Sequence, residues 1–142
     1  MVVATQDLFT LNELKQDTAM EKKFDLEERL IDFAAAIIDI TEVLPKTLAG
    51  NHLGGQLLRS GTSPALHYGE AQAAESPADF IHKMKVCLKE LRETYNCLRL
   101  IRKKGWIKEG LESKVIESNE LVAIFVASVK TAQANQQKGK KN

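Results

Sequence analysis

The sequence predicts an all-α protein, an antiparallel, up-down-up-down four-helix bundle preceded by an N-terminal arm. Apolar residues recur at alternating spacings of four and three in several long segments, and no segment alternates as a strand does. The 142 residues include only three prolines and eight glycines, so long helices are possible, and 44% are hydrophobic, which is enough for one core. Short connections between such helices make sequential neighbours antiparallel.

Helix 1 is expected to begin near Asp25, because Asp25 and Glu28 form a capping-box pattern. Its core-facing residues, which we call the seam of the helix, are Leu26, Leu30, Phe33, Ile37, Ile40 and Leu44. Pro45 marks the end of the helix or a break in it. Before it, residues 1–24 are expected to form an arm or a short helix. The apolar cluster of this arm comprises Leu8, Phe9, Leu11 and Leu14, and it could dock on a neighbouring subunit.

Helix 3 carries the clearest boundary signals. Ser76 is the expected N-cap, Pro77 occupies the first helical position, and Gly105 is the natural residue after the last turn. Its seam consists of Phe80, Met84, Cys87, Leu91, Thr94, Leu98 and Ile101. Cys87 and Cys97 lie about 15 Å apart along one helix at about 1.5 Å per residue, so they cannot pair with each other.

Helix 4 completes the bundle, which is predicted to span residues 25–132. Its expected seam is Leu111, Val115, Ser118, Val122, Phe125, Val129 and Ala132. The polar, lysine-containing tail, residues 133–142, is expected to be disordered.

Helix 2, over residues 51–74, breaks the seam pattern. Leu53 and Leu57 are followed at seam positions by Ser60, Pro64 and His67. Proline inside a helix removes a hydrogen bond and usually kinks the helix. Such breaks are the first places to look for function or assembly.

Three features that the sequence lacks indicate the cellular location of the protein. Unpaired cysteines are typical of a reducing compartment, and the first residues lack the features of a signal peptide. The longest apolar stretch, residues 121–129, is too short to span a bilayer. We therefore expect a cytoplasmic protein with no membrane partner.

Four stretches of helices 2 and 3 carry a family resemblance. They are Gln56-Leu-Leu-Arg59-Ser60-Gly-Thr62-Ser63, Glu70-Ala-Gln-Ala-Ala-Glu-Ser76, Asp79-Phe-Ile-His-Lys83 and Lys89-Glu-Leu-Arg-Glu-Thr94. In these stretches, and from about residue 24 to 132, the chain resembles the four helix bundle protein family, whose members include proteins encoded in intervening sequences of bacterial 23S ribosomal RNA genes. The resemblance implies a left-handed bundle, a homopentamer, and kinship with the accessory protein of diversity-generating retroelements. The chain departs from the family pattern at Pro64 and His67.

Charge is unevenly distributed along this nearly neutral chain. Residues 77–104 carry a net charge of +5 and residues 25–48 a net charge of −4. The outer positions of helix 3 form what we call the basic ridge, which consists of Lys85, Lys89, Arg92, Arg99 and Lys103. This ridge predicts contacts with nucleic-acid phosphates. The alternatives are a solvated face, or ion pairs with acidic helix 1 of the same or a neighbouring chain.

A second group of polar residues lies on helix 2. Arg59, Ser60, Thr62, Ser63, His67 and Glu70 are candidates for contacts within the bundle, at a subunit interface or with a partner. His67 and Glu70 lack the other ligands of a carboxylate-bridged metal site, and Thr62, Ser63 and His67 lack an orienting third group and an oxyanion hole. We therefore expect no catalytic, metal or cofactor site.

The functional hypothesis is a non-enzymatic, oligomeric scaffold or binding protein. RNA is the expected partner, through the basic ridge. The alternative is a protein-interaction module, such as an accessory protein of a reverse transcriptase. Helix 3 also carries apolar residues beside its seam, which predict either a subunit interface or a wide core within one chain. They are Ile81, Leu88 and Tyr95 on one flank and Val86 and Leu100 on the other.

Overall fold

The computed structural model describes residues 26–140 and shows four helices within them. They are α1 (26–42), α2 (Leu48–Gln72), α3 (Pro77–Lys104) and α4 (Leu111–Lys140). No strand occurs in this range. The all-helical class and the four-helix architecture are therefore confirmed.

The helices pack in a ring, with α1 against α2 and α4, and α3 against α2 and α4. Ile37 and the following Leu44 lie close to Gly61 and Gly54, which places α1 against α2. Ser60 contacts Thr94 and Leu53 contacts Cys97, which places α2 against α3. The pair Arg102–Glu112 joins α3 to α4, and the pair Arg29–Glu117 joins α1 to α4. Between α1 and α2, and between α2 and α3, the residue numbers of one helix rise along the interface as those of its partner fall, which shows that these neighbours are antiparallel. The left hand of the bundle stays a prediction.

The helix boundaries follow from local capping. Ser76 Oγ accepts a hydrogen bond from the Asp79 amide at 3.1 Å, and Gly105 adopts the left-handed conformation with φ 66°, so both predicted ends of α3 are confirmed. Helix α2 begins earlier than expected, because Thr47 caps it by accepting from the Gly50 amide. It continues to Gln72 through Pro64 without a break.

Most of the predicted seams form the core. Fully buried members include Ile37, Leu57, Leu91, Leu98 and Phe125. One seam position of α4 was wrong: Leu121 is fully buried, whereas Val122 is only partly buried. A three-residue step after Ser118, in place of a four-residue step, brings Leu121 to the core, and the spacing allowed either choice.

The expected disorder of residues 133–142 is wrong as far as the structure describes them, because α4 continues to Lys140. Glutamine and lysine make up six of these ten residues, and both have high helix propensity. The predicted arm, residues 1–24, the predicted N-cap Asp25, and residues 141–142 lie outside the described residues.

None of the helices between residues 26 and 140 has the length and apolar character that crossing a bilayer requires.

Candidate nucleic-acid interface

The basic ridge begins on the side of α3 that lies next to α4. All five of its side chains are exposed. Lys85, Lys89 and Arg92 line a groove of about 460 Å³ between α3 and α4. The ridge is therefore one wall of a concave surface, which we call the basic groove.

Helix α4 forms the other wall of the basic groove. It contributes Lys130 and Gln133, while Leu88 of α3 and Val126 and Val129 of α4 supply apolar contact surface between the walls. Lys130 is not among the residues predicted from the sequence. It lies in a different helix from the ridge, and only the interhelical register brings the two together.

The cations of the groove have no carboxylate partner in the described part of the chain. Within residues 26–140, no acidic oxygen lies within 4.0 Å of Lys85, Lys89, Arg92 or Lys130. An ion pair between these residues and α1 of the same chain, one of the alternatives, is thus not formed in this region. The ring order explains this, because α1 lies diagonally across the bundle from α3.

The remaining two residues of the ridge continue it beyond the groove. Arg99 lies over the ring of Tyr95, with 5.3 Å between its guanidinium carbon and the ring centre, and also donates to Asn96. Lys103 is exposed in the last turn of α3. The positive strip therefore extends along most of the helix.

Arg59, a predicted polar contact, joins α2 to α3. Its guanidinium donates to Glu90 at 2.7 Å and to Glu93 at 2.5 Å. The hydrogen bonds to Glu93 and Glu90 raise the pKa of Arg59. The two acids in the middle of α3 are therefore directed toward α2, away from the basic groove.

Ser60, also predicted, is fully buried and bonded to Thr94 of α3. The Thr94 hydroxyl lies 2.9 Å from both Ser60 Oγ and the Glu90 carbonyl. Because a hydroxyl has one proton and a carbonyl only accepts, both contacts are hydrogen bonds when Thr94 donates to the carbonyl and Ser60 donates to Thr94. This pair is a polar contact within the bundle.

The other candidates on α2 do not converge on a site. Thr62 donates to the Leu58 carbonyl, Ser63 bonds to His67 Nδ1 at 3.0 Å, and Glu70 is exposed. The seam position assigned to His67 is wrong: the imidazole is exposed, and Tyr68 instead turns inward, edge-on to Phe125. A step of four after Pro64 selects Tyr68, and the larger apolar ring takes the more buried place.

No group of three potential metal ligands occurs among residues 26–140. Cys87 and Cys97 are free and buried, and burial raises the pKa of each thiol to about 11. Both thiols are therefore protonated at neutral pH, as expected of core residues.

Comparison with known protein families gives a match over residues 22–126 to the model of the 23S rRNA-intervening sequence protein. The chain belongs to that family. The match covers α1, α2 and α3 and the first half of α4, including most of the basic groove. It confirms the family resemblance of helices 2 and 3.

A solved structure agrees with the family assignment. It is a protein with unknown function from the S23 ribosomal protein family of Bacteroides thetaiotaomicron VPI-5482, 31% identical to this chain. The comparison covers 74% of this chain and 98% of that chain, with a TM-score of 0.68. A search of curated proteins gives no match.

Proposed function

We propose that this member of the 23S rRNA-intervening sequence protein family is a non-enzymatic, oligomeric binding protein that holds RNA in the basic groove. The observation that carries the proposal is the set of four cations around one concave surface, all without a carboxylate partner in the described residues. Cations free of partners can release the counterions of a phosphate backbone, which is the main source of non-specific affinity for nucleic acid.

The composition of the groove indicates which part of RNA it contacts. None of the described residues that line it is aromatic, so bases have no stacking platform there. Its lysines and arginine match phosphates, and the partly buried Val126 offers apolar surface to the sugars. We therefore expect phosphate-led binding with little dependence on base sequence.

Self-association is supported by the apolar surface of α3. Ile81 and Leu88 are buried in the core of their own chain, which favours a wide core for that flank. Val86 and Leu100 on the other flank are 39% and 48% exposed. They lie next to the basic ridge, so an oligomer joined through this flank would place the ridges of several subunits close together.

The non-enzymatic part of the proposal is supported by the arrangement of the candidate nucleophiles. The hydroxyl–imidazole pair among the site candidates, Ser63 with His67, lies on an exposed helical face. Its two members are four residues apart on the same helix, a spacing that brings side chains together without any site.

The test is RNA binding with two matched triple variants. One carries Lys85→Gln, Lys89→Gln and Lys130→Gln in the groove. The control carries Lys46→Gln, Lys104→Gln and Lys108→Gln, which are also exposed and remove the same charge. Binding to a labelled structured RNA is measured over a range of salt concentrations.

The groove variant should bind more weakly than the unmodified protein. The slope of log K against log salt should become shallower by about 2 to 3, because each neutralised phosphate contributes about 0.7–0.9 to it. The control should keep the slope of the unmodified protein. Equal slopes in the two variants, or no RNA binding at all, would sink the proposal and leave a protein-interaction module as the better hypothesis.

A further inference from the structure

The basic groove runs toward one end of the bundle. Its residues on α3 lead from Arg92 back to Lys85, toward the first turn of that helix, and its residues on α4 lead from Val126 forward to Gln133. Further along both helices lies a second concavity of about 720 Å³, which we call the terminal cleft. A strand that follows the groove in this direction therefore reaches the terminal cleft.

The terminal cleft lies between the α2–α3 turn and the last turns of α4. Gln136 of the cleft and Gln133 of the groove are three residues apart in α4, and side chains at this spacing are neighbours on the surface of a helix. The two concavities thus adjoin along α4. The volume of the cleft lies within the roughly 300–1,000 Å³ that is usual for small-molecule sites.

Phe80, in the first turn of α3, supplies an aromatic ring to the terminal cleft and is partly exposed. The same side chain borders a smaller depression of about 400 Å³ beside α4. Proteins hold the unpaired bases of RNA by stacking them on aromatic rings, which every base tolerates. The described lining of the basic groove offers no such ring, so a base that passes beyond the groove first meets one in the cleft.

Carboxamide side chains surround this ring. Gln72 of α2 and Asn135 and Gln136 of α4 all line the terminal cleft. A carboxamide has both donor and acceptor atoms, so it can hydrogen-bond the edge of a base, which also carries both. The cleft therefore combines a stacking surface with groups that recognise base edges.

Glu75 gives the terminal cleft a negative charge, and it is the only charged residue in the described lining. Hydrogen bonds fix the turn that carries it: the Glu75 amide donates to Asp79 Oδ2 at 3.3 Å, and the Asp79 amide donates to Ser76 Oγ at 3.1 Å. A carboxylate repels phosphate. The sugar–phosphate backbone should therefore stay with the cations of the groove, and the part of RNA that enters the cleft should be an uncharged base.

The carboxylate of Glu75 also selects among the bases. An ionised carboxylate has two acceptor oxygens and no donor. Guanine is the RNA base whose Watson–Crick edge carries two adjacent donors, the N1–H and the N2 amino group, whereas adenine, cytosine and uracil each offer one donor on that edge. A bidentate contact is thus available to guanine alone.

We infer that the terminal cleft holds one unpaired guanine base, stacked on Phe80 and accepted by the carboxylate of Glu75. The inference rests on the proposed RNA binding and names the nucleotide that is bound at one end of the groove. The groove itself distinguishes bases little, and discrimination at a single nucleotide comes from the cleft.

Competition between short single-stranded RNAs tests the base preference. The probes are an oligouridine and the same oligomer with one guanosine or one adenosine in the middle. The unmodified protein should bind the guanosine probe about 5- to 150-fold more tightly than the other two, the discrimination expected of one bidentate contact. Glu75→Gln should abolish this preference and leave the salt slope unchanged. The control, Glu109→Gln in the exposed α3–α4 connection, removes the same charge and should retain the preference.

Free guanosine, which carries no phosphate, tests the cleft without the groove. In NMR spectra it should shift the side-chain amide signals of Asn135 and Gln136, and adenosine should shift them less. No shift with guanosine, equal affinity for the three RNAs, or a preference that persists in Glu75→Gln would each overturn the inference. RNA binding without a preference refutes the cleft alone, whereas guanosine binding without RNA binding refutes the basic groove alone.

Discussion

The hydrogen bond between Ser60 and Thr94 links two side chains that are both fully buried between α2 and α3. We expect Thr94→Val to lower the free energy of unfolding by about 1–3 kcal/mol, because it leaves the Ser60 hydroxyl in the core without this partner. Chemical denaturation measures the change.

The double variant Ser60→Ala with Thr94→Val is the control for that prediction, since it removes both hydroxyls together. It should be more stable than the sum of the two single variants implies. Additive losses would show that the two hydroxyls are not coupled.

Arg29 joins α1 to α4 through a two-pronged ion pair. Its Nε and Nη2 lie 2.6 and 2.9 Å from the two oxygens of Glu117. The guanidinium holds the pKa of Glu117 below its usual value. A carboxylate with a lower pKa in the folded than in the unfolded state stabilises the fold above its unfolded pKa, and this stabilisation disappears as the pH falls through the folded pKa.

The lowered pKa of Glu117 determines how the stability of the protein should depend on pH. Glu117→Gln should lower stability by about 1 kcal/mol at pH 7, and the difference from the unmodified protein should vanish in acid. Denaturant unfolding at a series of pH values measures it. Glu112→Gln, in the more exposed pair with Arg102, should have a smaller effect at every pH. A loss at Glu117 that persists in acid would contradict the electrostatic explanation.

At the scale of elements, α2 depends on small residues to approach α1. A Cβ built on Gly61 would lie 2.6 Å from Ile37 Cγ2, whereas one built on Gly55 would meet nothing within 4 Å. The missing side chain at Gly61 therefore allows α1 of the same chain to pack closely against α2.

The two glycines make a matched pair of variants. Gly61→Ala should destabilise the protein by about 1–3 kcal/mol through overpacking. Gly55→Ala should stabilise it by about 0.5–1 kcal/mol, because alanine has the higher helix propensity and the site is open. Thermal or denaturant unfolding measures both, and equal effects would refute the close packing of α1 on α2.

At the scale of the whole molecule, opposite charges lie on opposite corners of the bundle. Helix α1 exposes Glu28, Asp32, Asp39 and Glu42, whereas α3 exposes the basic ridge. Because α1 and α3 are diagonal, this polarity is not neutralised within the described part of one chain. A polyanion is an electrostatic counterpart of the basic face only, whereas a neighbouring subunit could complement either face.

The family resemblance predicts a homopentamer, and we expect native mass spectrometry to show five copies. Val86→Glu with Leu100→Glu should shift the protein toward smaller species, because the two substitutions place charge on the exposed apolar flank of α3. Ile116→Glu on α4, which is 52% exposed, is the control and should leave the assembly intact. A monomer in the unmodified protein, or loss of assembly in the control alone, would contradict this interface.

The sequence by itself determined the elements of this protein. The four-three spacing of apolar residues specified the helices and most of their buried positions, and Ser76 and Gly105 specified the ends of α3, because capping depends on residues a few positions apart. The family resemblance rested likewise on local stretches of α2 and α3. The basic ridge was visible for the same reason, since its residues share one face of one helix.

Only the tertiary structure decided what meets across helices. The packing of α4 on α3 brought Lys130 into the basic groove, and the packing of α2 on α3 allowed Arg59 to pair with Glu90 and Glu93. Leu121 and Tyr68 took the buried places assigned to Val122 and His67, because the helical period admits steps of three or four and packing against the neighbouring helices selects between them. Periodicity acts within one helix, whereas register and burial depend on residues far apart in the chain.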